Sequence, residues 1–234
     1  MTLTVLPFHA VCFDCDSTLS RIEGIDELAL RRGVLDEIAP LTTAAMEGTI
    51  PLDEIYGKRL ALVRPGKGDI NWLAQRYSDE RVEGAVKTIS SLKRLNKSIH
   101  IISGGIRQAI LPLAKELHIP LSNVHAVDIS FSNDGSYEDY DKSNPLITPL
   151  GKADVVRDII VHNGATAMVG DGLTDLAARE AGAYVIGFGG IARRQAVVDG
   201  ADIFIDVPDL SATLPYLLNQ EEQASLTSNR HENI

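Results

Sequence analysis

Apolar residues fall in short unbroken runs separated by segments with a helical period. The run at 10–13 closes on Asp14, and runs of the same character stand at 99–102, 165–169, 184–187 and 203–205. Between them, apolar positions in 86–95, 106–117, 153–162 and 173–181 follow the spacing of one helix face. Strands apolar on both faces, alternating with amphipathic helices, predict a parallel sheet covered on both sides. The fold class is therefore α/β, a doubly wound parallel sheet. Such sheets bind ligands beyond the carboxyl ends of their strands, where Asp14, Ser103 and Asp171 fall.

One stretch breaks the alternation. Residues 20–81 separate the first two strands and are too long for a simple crossover. They read as helices. Residues 23–32 end in Arg31-Arg32 and then Gly33, a terminus that suits the helix dipole and a left-handed stop. Residues 41–47 stop at Gly48, with Pro40 starting or kinking that helix. Pro51 opens a third helix toward Val63, and Asp69 caps a fourth through Tyr77. The expected organisation is a core of residues 1–19 and 82–218, with a helical cap of 20–81 lying over the carboxyl edge of the sheet as a lid. Residues 219–234, with only two aliphatic side chains larger than Ala, read as a loose polar tail. Asn133-Asp134-Gly135 between Phe131 and Tyr137 is a hairpin signal.

Composition acts by exclusion. The chain has 234 residues, with 22 Lys plus Arg against 32 Asp plus Glu, a formal net charge of −10. Negative charge of this size makes nucleic acid and anionic membranes poor partners and leaves an anionic small molecule possible only where cations gather locally. The early apolar run, 5–13, is too short to span a bilayer and has no basic residue before it, as a signal peptide requires. A cytoplasmic location is expected. Cys12 and Cys15 form C-x-x-C, but residues three apart on a strand face opposite sides, and no second pair completes a zinc site. They read as two inert, partly buried thiols.

Four polar loops carry candidate chemistry. Asp14-Cys15-Asp16-Ser17-Thr18 follows the first strand. Two carboxylates at i and i+2 repel unless a cation or a proton lies between them, although Asp, Ser and Thr are also common in plain turns. Ser103-Gly104-Gly105 offers a hydroxyl and exposed N–H groups at a helix start, suited to an anion, and equally reads as an ordinary βα turn. Lys152, at the head of a helix, opposes the dipole there, as some solvent-facing lysines also do. Gly170-Asp171-Gly172-Leu173-Thr174-Asp175 makes a tight turn that exposes Asp171, while Thr174 or Asp175 can serve as a plain N-cap. Together, three Asp carboxylates, a hydroxyl, an ammonium and free N–H groups at one sheet edge are what magnesium-assisted phosphoryl transfer uses.

With these motifs the chain, over about residues 8 to 210, resembles the haloacid dehalogenase superfamily of aspartate-nucleophile phosphatases, and within it the phosphoserine phosphatases. The resemblance implies a Rossmann-like core in which Asp14 is the nucleophile, Asp16 the general acid and base, and Ser103 and Lys152 the groups that bind phosphoryl oxygens. It implies Mg2+ held by Asp14, Asp171 and the backbone carbonyl of Asp16, with Asp175 positioning Lys152 or a metal-bound water. It also implies a substrate pocket in which Glu23 meets an ammonium, Arg59 clamps a carboxylate, Met46 packs over the ligand, and Gly104 and Thr174 complete the wall. Leu52 stands where many relatives place Phe, and Val127 where they place Asn. The expected activity is hydrolysis of O-phospho-L-serine in serine synthesis. The alternatives are a phosphatase or phosphotransferase for another small phosphomonoester, such as phosphohomoserine or a phosphosugar, and a non-catalytic phospho-ligand module.

Overall fold

The computed structural model describes residues 7–228. Ala10–Phe13 form β1, every residue of it buried, as a strand covered on both faces requires. Helices α1 (Gly24–Arg32), α2 (Leu35–Met46), α3 (Leu52–Val63) and α4 (Lys67–Asp79) follow before the chain returns through α5 (Ala85–Arg94) to β2 (Ser98–Ile106). Then come α6 (Arg107–Glu116), β3 (Val124–Val127), a two-stranded hairpin of β4 (Ile129–Phe131) and β5 (Tyr137–Tyr140), α7 (Gly151–Asn163), β6 (Thr166–Gly170), α8 (Leu173–Leu176), β7 (Tyr184–Phe188), α9 (Gln195–Gly200), β8 (Ile203–Ile205), α10 (Leu214–Leu217) and α11 (Gln220–Ser228).

The six strands β3-β2-β1-β6-β7-β8 form one sheet, and each adjacent pair is parallel. The chain winds outward from β1 through β2 to β3, and on the other side from β6 through β7 to β8. This puts the switch in direction at β1, where the crevice of a doubly wound sheet opens. Asp14 is the first residue beyond that strand. The parallel α/β class is as the alternation of runs and helices predicts, and so is the hairpin, whose turn has Gly135 at φ 85°.

Four local expectations need correction. Pro40 does not start a helix but lies inside α2, the position its kinking alternative requires, and that helix begins at Leu35 rather than near 41. Pro40 sits on an exposed face, so the carbonyl freed by its missing N–H meets solvent. The strand expected over 99–102 runs on to Ile106, through a register shift between Ile102 and Ile106 against β3. Ser103, Gly104 and Gly105 therefore lie at an irregular strand end rather than at a helix start. Neither Thr174 nor Asp175 caps α8: Gly172 is the N-cap, and the Asp175 carboxylate reaches back to its N–H at 2.9 Å. The chain beyond 219 is not loose where described: 220–228 are α11, with Glu222 2.6 Å from the buried ammonium of Lys97. The remainder of that tail lies outside the described residues. Among the described residues, no helix is long and apolar enough to cross a membrane.

Candidate active site

β1 pairs on one side with β2 and on the other with β6, so the loops leaving these three strands are neighbours. Asp14, Ser103 and Asp171 stand at their ends and line one cavity, together with Lys152 from the second position of α7. Lys152 is buried, with Nζ 2.8 Å from Asp14 Oδ2 and 2.7 Å from Asp175 Oδ1. These contacts answer its conflict with the helix dipole. Burial works against its charge, but the two carboxylates more than offset that and its pKa is raised.

Asp175 passes beneath the chain at Gly170, where a β-carbon would stand 2.1 Å from the Asp175 carboxyl carbon. Only glycine permits that approach. Asp175 Oδ2 accepts from the Gly172 N–H, and burial lifts the carboxyl to about 7 although Lys152 pulls it down. Thr18 Oγ1 donates to Asp171 Oδ1 at 3.2 Å, and the Arg194 guanidinium lies against Asp171 Oδ2. Asp14, Asp171 and Asp175 each offer an oxygen within 4.8 Å of the others.

Asp16 is the second carboxylate of the first loop. Its Oδ1 accepts from Tyr77 O–H at 2.7 Å and from Gly24 N–H at 2.9 Å. Burial, then the charges of Glu23 and Asp14, push its pKa up to about 8, against the pull of those two hydrogen bonds. Ser17, buried at φ 52°, turns its hydroxyl to Glu23 Oε1 at 2.9 Å. A serine in this left-handed region stores modest strain beside the site. Arg194 Nη2 meets the same Glu23 oxygen at 3.2 Å, yet burial still leaves the Glu23 carboxyl above its usual range.

The helices α1–α4 close the cavity from above. Met46, Leu52, Tyr56 and Arg59 line it, and Tyr56 O–H donates to the Gly104 carbonyl at 2.9 Å. Arg59 is 5% exposed, and Nη1 donates to Thr42 Oγ1 at 3.3 Å. Its Nε has no hydrogen-bond partner among the described residues. Thus Asp14, Asp16, Glu23, Met46, Arg59, Ser103, Gly104, Lys152, Asp171 and Thr174 share one cavity wall, with Asp175 behind Lys152. The sequence reading missed Arg194, Tyr77 and Tyr56. Arg194 follows the Gly189-Gly190 loop beyond β7, so its place at a carboxyl edge was the available signal. Nothing separates it there from Arg193. The thiols Cys12 and Cys15 are free and fully buried, and burial raises both pKa values, so they are inert.

The family model of haloacid dehalogenase-like hydrolases matches residues 8–182. Phosphoserine phosphatase of Bos taurus is 37% identical over 198 residues, covering 84% of this chain and 88% of the relative. Among solved structures, a phosphoserine phosphohydrolase-like protein from Francisella tularensis superposes with a TM-score of 0.78 at 29% identity, over 94% of this chain and 99% of the other. A substrate-bound phosphoserine phosphatase superposes with a TM-score of 0.80 at 26% identity, over 91% of this chain and 100% of the other. The chain belongs to the haloacid dehalogenase-like hydrolases. Hydrolases of this family generally use a divalent metal, and the buried carboxylates of Asp14 and Asp171 are the hard oxygen donors such an ion takes.

Proposed function

We propose that this chain hydrolyses O-phospho-L-serine to serine and phosphate through a phosphoryl group carried on Asp14. It is a phosphoric monoester hydrolase, and its substrate is a small phosphomonoester. The observation that carries the choice of substrate is Arg59. A guanidinium removed from water, with the Thr42 hydroxyl as its one hydrogen-bond partner and Nε unpaired among the described residues, is costly unless a ligand anion meets it. Its planar fork suits a carboxylate. Glu23 lines the same cavity with the opposite charge, suited to an ammonium. One cation and one anion beside a phosphoryl site describe an amino acid phosphate, and Met46, Gly104 and Thr174 would pack around it.

In the first step a carboxylate oxygen of Asp14 bonds to phosphorus, the bond to the serine oxygen breaks, and Asp16 gives its proton to that leaving oxygen. In the second, water attacks phosphorus, Asp16 takes its proton, and the Asp14 carboxylate is released. An Asp16 carboxyl raised to about 8 holds the proton near neutral pH. Ser103, Lys152 and the Gly104 N–H would bind the phosphoryl oxygens. Magnesium is the ion proposed, held by Asp14, Asp171 and the Asp16 carbonyl, where it would offset the charge of the phosphoryl group. Both oxygens of Asp175 are engaged, by Lys152 and the Gly172 N–H, which supports a role in positioning Lys152. Residues 20–81 would act as a cap domain on a core of 1–19 and 82–218. The role proposed for the chain is that of a cytoplasmic enzyme of serine synthesis.

Steady-state hydrolysis of L-phosphoserine beside phosphoethanolamine and beside an analogue lacking the ammonium tests the reading. kcat/KM should fall at least about a hundredfold for phosphoethanolamine, because Arg59 then lacks its anion, and should also fall for the analogue lacking the ammonium, which loses its contact with Glu23. Arg59→Ala should erase the preference over phosphoethanolamine. Equal kcat/KM across the panel would remove phosphoserine while leaving the hydrolase.

A further inference from the structure

We infer that Tyr77, on cap helix α4, is the positioning residue for Asp16 and fixes which carboxyl oxygen faces the reacting phosphoester. The inference rests on the reading of Asp16 as the proton donor and acceptor. Two donors converge on Asp16 Oδ1, the Tyr77 hydroxyl at 2.7 Å and the Gly24 N–H at 2.9 Å. The terminal torsion of an Asp side chain is broad, so a carboxyl aimed at a substrate needs such anchors. An oxygen that already accepts two hydrogen bonds is a poor place for a proton, so transfer is left to Oδ2. Oδ2 faces the phosphoryl cradle: a β-carbon placed on Gly105 would stand 3.1 Å from Asp16 Oδ2 and 3.1 Å from Ser103 Oγ.

The arrangement is built, not incidental. Tyr77 is 0% exposed, and a β-carbon on Gly24 would lie 2.0 Å from its hydroxyl oxygen, so the bond exists because residue 24 is glycine. Tyr77 belongs to the helical insertion and Asp16 to the first core loop, 61 residues apart in sequence. The insertion therefore contributes to proton transfer as well as to recognition. The step balances within the proposed reaction: as the phosphorus–oxygen bond to serine breaks, its electron pair stays on the serine oxygen, which takes the proton from Oδ2. Attacking water later returns a proton to Oδ2 as the Asp14–phosphorus bond breaks.

The test compares leaving groups in Tyr77→Phe, which keeps the ring and removes only the hydroxyl. Serine leaves as an alkoxide and needs the proton, whereas p-nitrophenolate leaves without one. kcat/KM for phosphoserine should fall about ten- to a hundredfold, and kcat/KM for p-nitrophenyl phosphate should change less than about twofold. Asp16→Asn should show the same selectivity, and adding Tyr77→Phe to it should cost nothing more. Equal losses on both substrates, or no loss on phosphoserine, would overturn the inference while wild-type turnover of phosphoserine leaves the proposed function standing. If Tyr77→Phe does not fold, Gly24→Ala decides: crowding the hydroxyl should reproduce the phosphoserine-specific loss, and a non-selective effect or none refutes the assignment.

Discussion

Asp14, the proposed nucleophile, can attack phosphorus only as a carboxylate. Its Oδ2 lies 2.8 Å from Lys152 Nζ, and Cys15 N–H donates to the other oxygen at 2.7 Å. Asn in place of Asp14 keeps the shape but offers no anionic oxygen to phosphorus. Asp14→Asn should therefore abolish turnover, with kcat down by at least about 10⁴-fold, while circular dichroism and thermal melting stay close to wild type. Measurable single-turnover phosphate release by this variant would contradict the assigned nucleophile. The residues of this kind were legible in the sequence because each directly follows an apolar run or heads a helix, positions that a parallel sheet gathers at one edge. Tyr77 and Arg194 were not legible, because their partners, Asp16 and Asp171, lie far away in the chain and neither residue stands out from its neighbours.

Among the elements, α11 shows where reading by period fails. Residues 220–228 have no apolar stripe to signal a helix. Their attachment is ionic: Lys97 Nζ lies 2.6 Å from Glu222 Oε1 and 2.6 Å from the Phe8 carbonyl, with Leu226 packed against the core. Glu222 also accepts from the Asn219 N–H and donates its own N–H to the Asn219 side chain, which starts the helix. Deleting 220–234 would leave a buried ammonium with one carbonyl partner, and should cost about 2–3 kcal/mol in urea unfolding. Lys97→Met in the shortened chain should recover a large part of that loss, since the uncompensated charge disappears with it. No recovery would mean that packing of Leu226, not the ion pair, holds the helix. By contrast five of the six sheet strands and most of their helices were predictable, because apolar runs of three to five residues and amphipathic segments of about ten leave few other arrangements, while β3 was not among the expected runs. The start of α2 at Leu35, ahead of Pro40, and the extension of β2 were not predictable, since solvent exposure of one carbonyl and a register shift are properties of the assembled fold.

At the scale of the whole molecule, the site makes stability depend on pH and on the divalent ion together. Asp16 and Asp175 sit at about 8 and about 7, raised mainly by burial, while in the unfolded chain they titrate at the ordinary value of 3.8. A carboxyl whose folded pKa is raised binds its proton more tightly when folded. Its contribution to stability is thus fully present below about pH 4 and is lost as pH rises toward 7–8, where the buried carboxylates become charged. In chelator, the metal-free protein should accordingly lose stability between pH 6 and pH 8. A divalent ion held by Asp14, Asp171 and the Asp16 carbonyl would weaken this, because its positive charge beside the two raised carboxyls lowers the cost of ionising them. The rise in melting temperature on adding magnesium should therefore be larger at pH 8 than at pH 6, by the equivalent of about 1 kcal/mol. Asp175→Asn should shrink that difference, since one of the two raised carboxyls is then absent. A magnesium-induced shift that is the same at both pH values would show that Asp16 and Asp175 carry no protons in the folded, metal-free site, and the source of the proton for the leaving group would have to be sought elsewhere in the cavity.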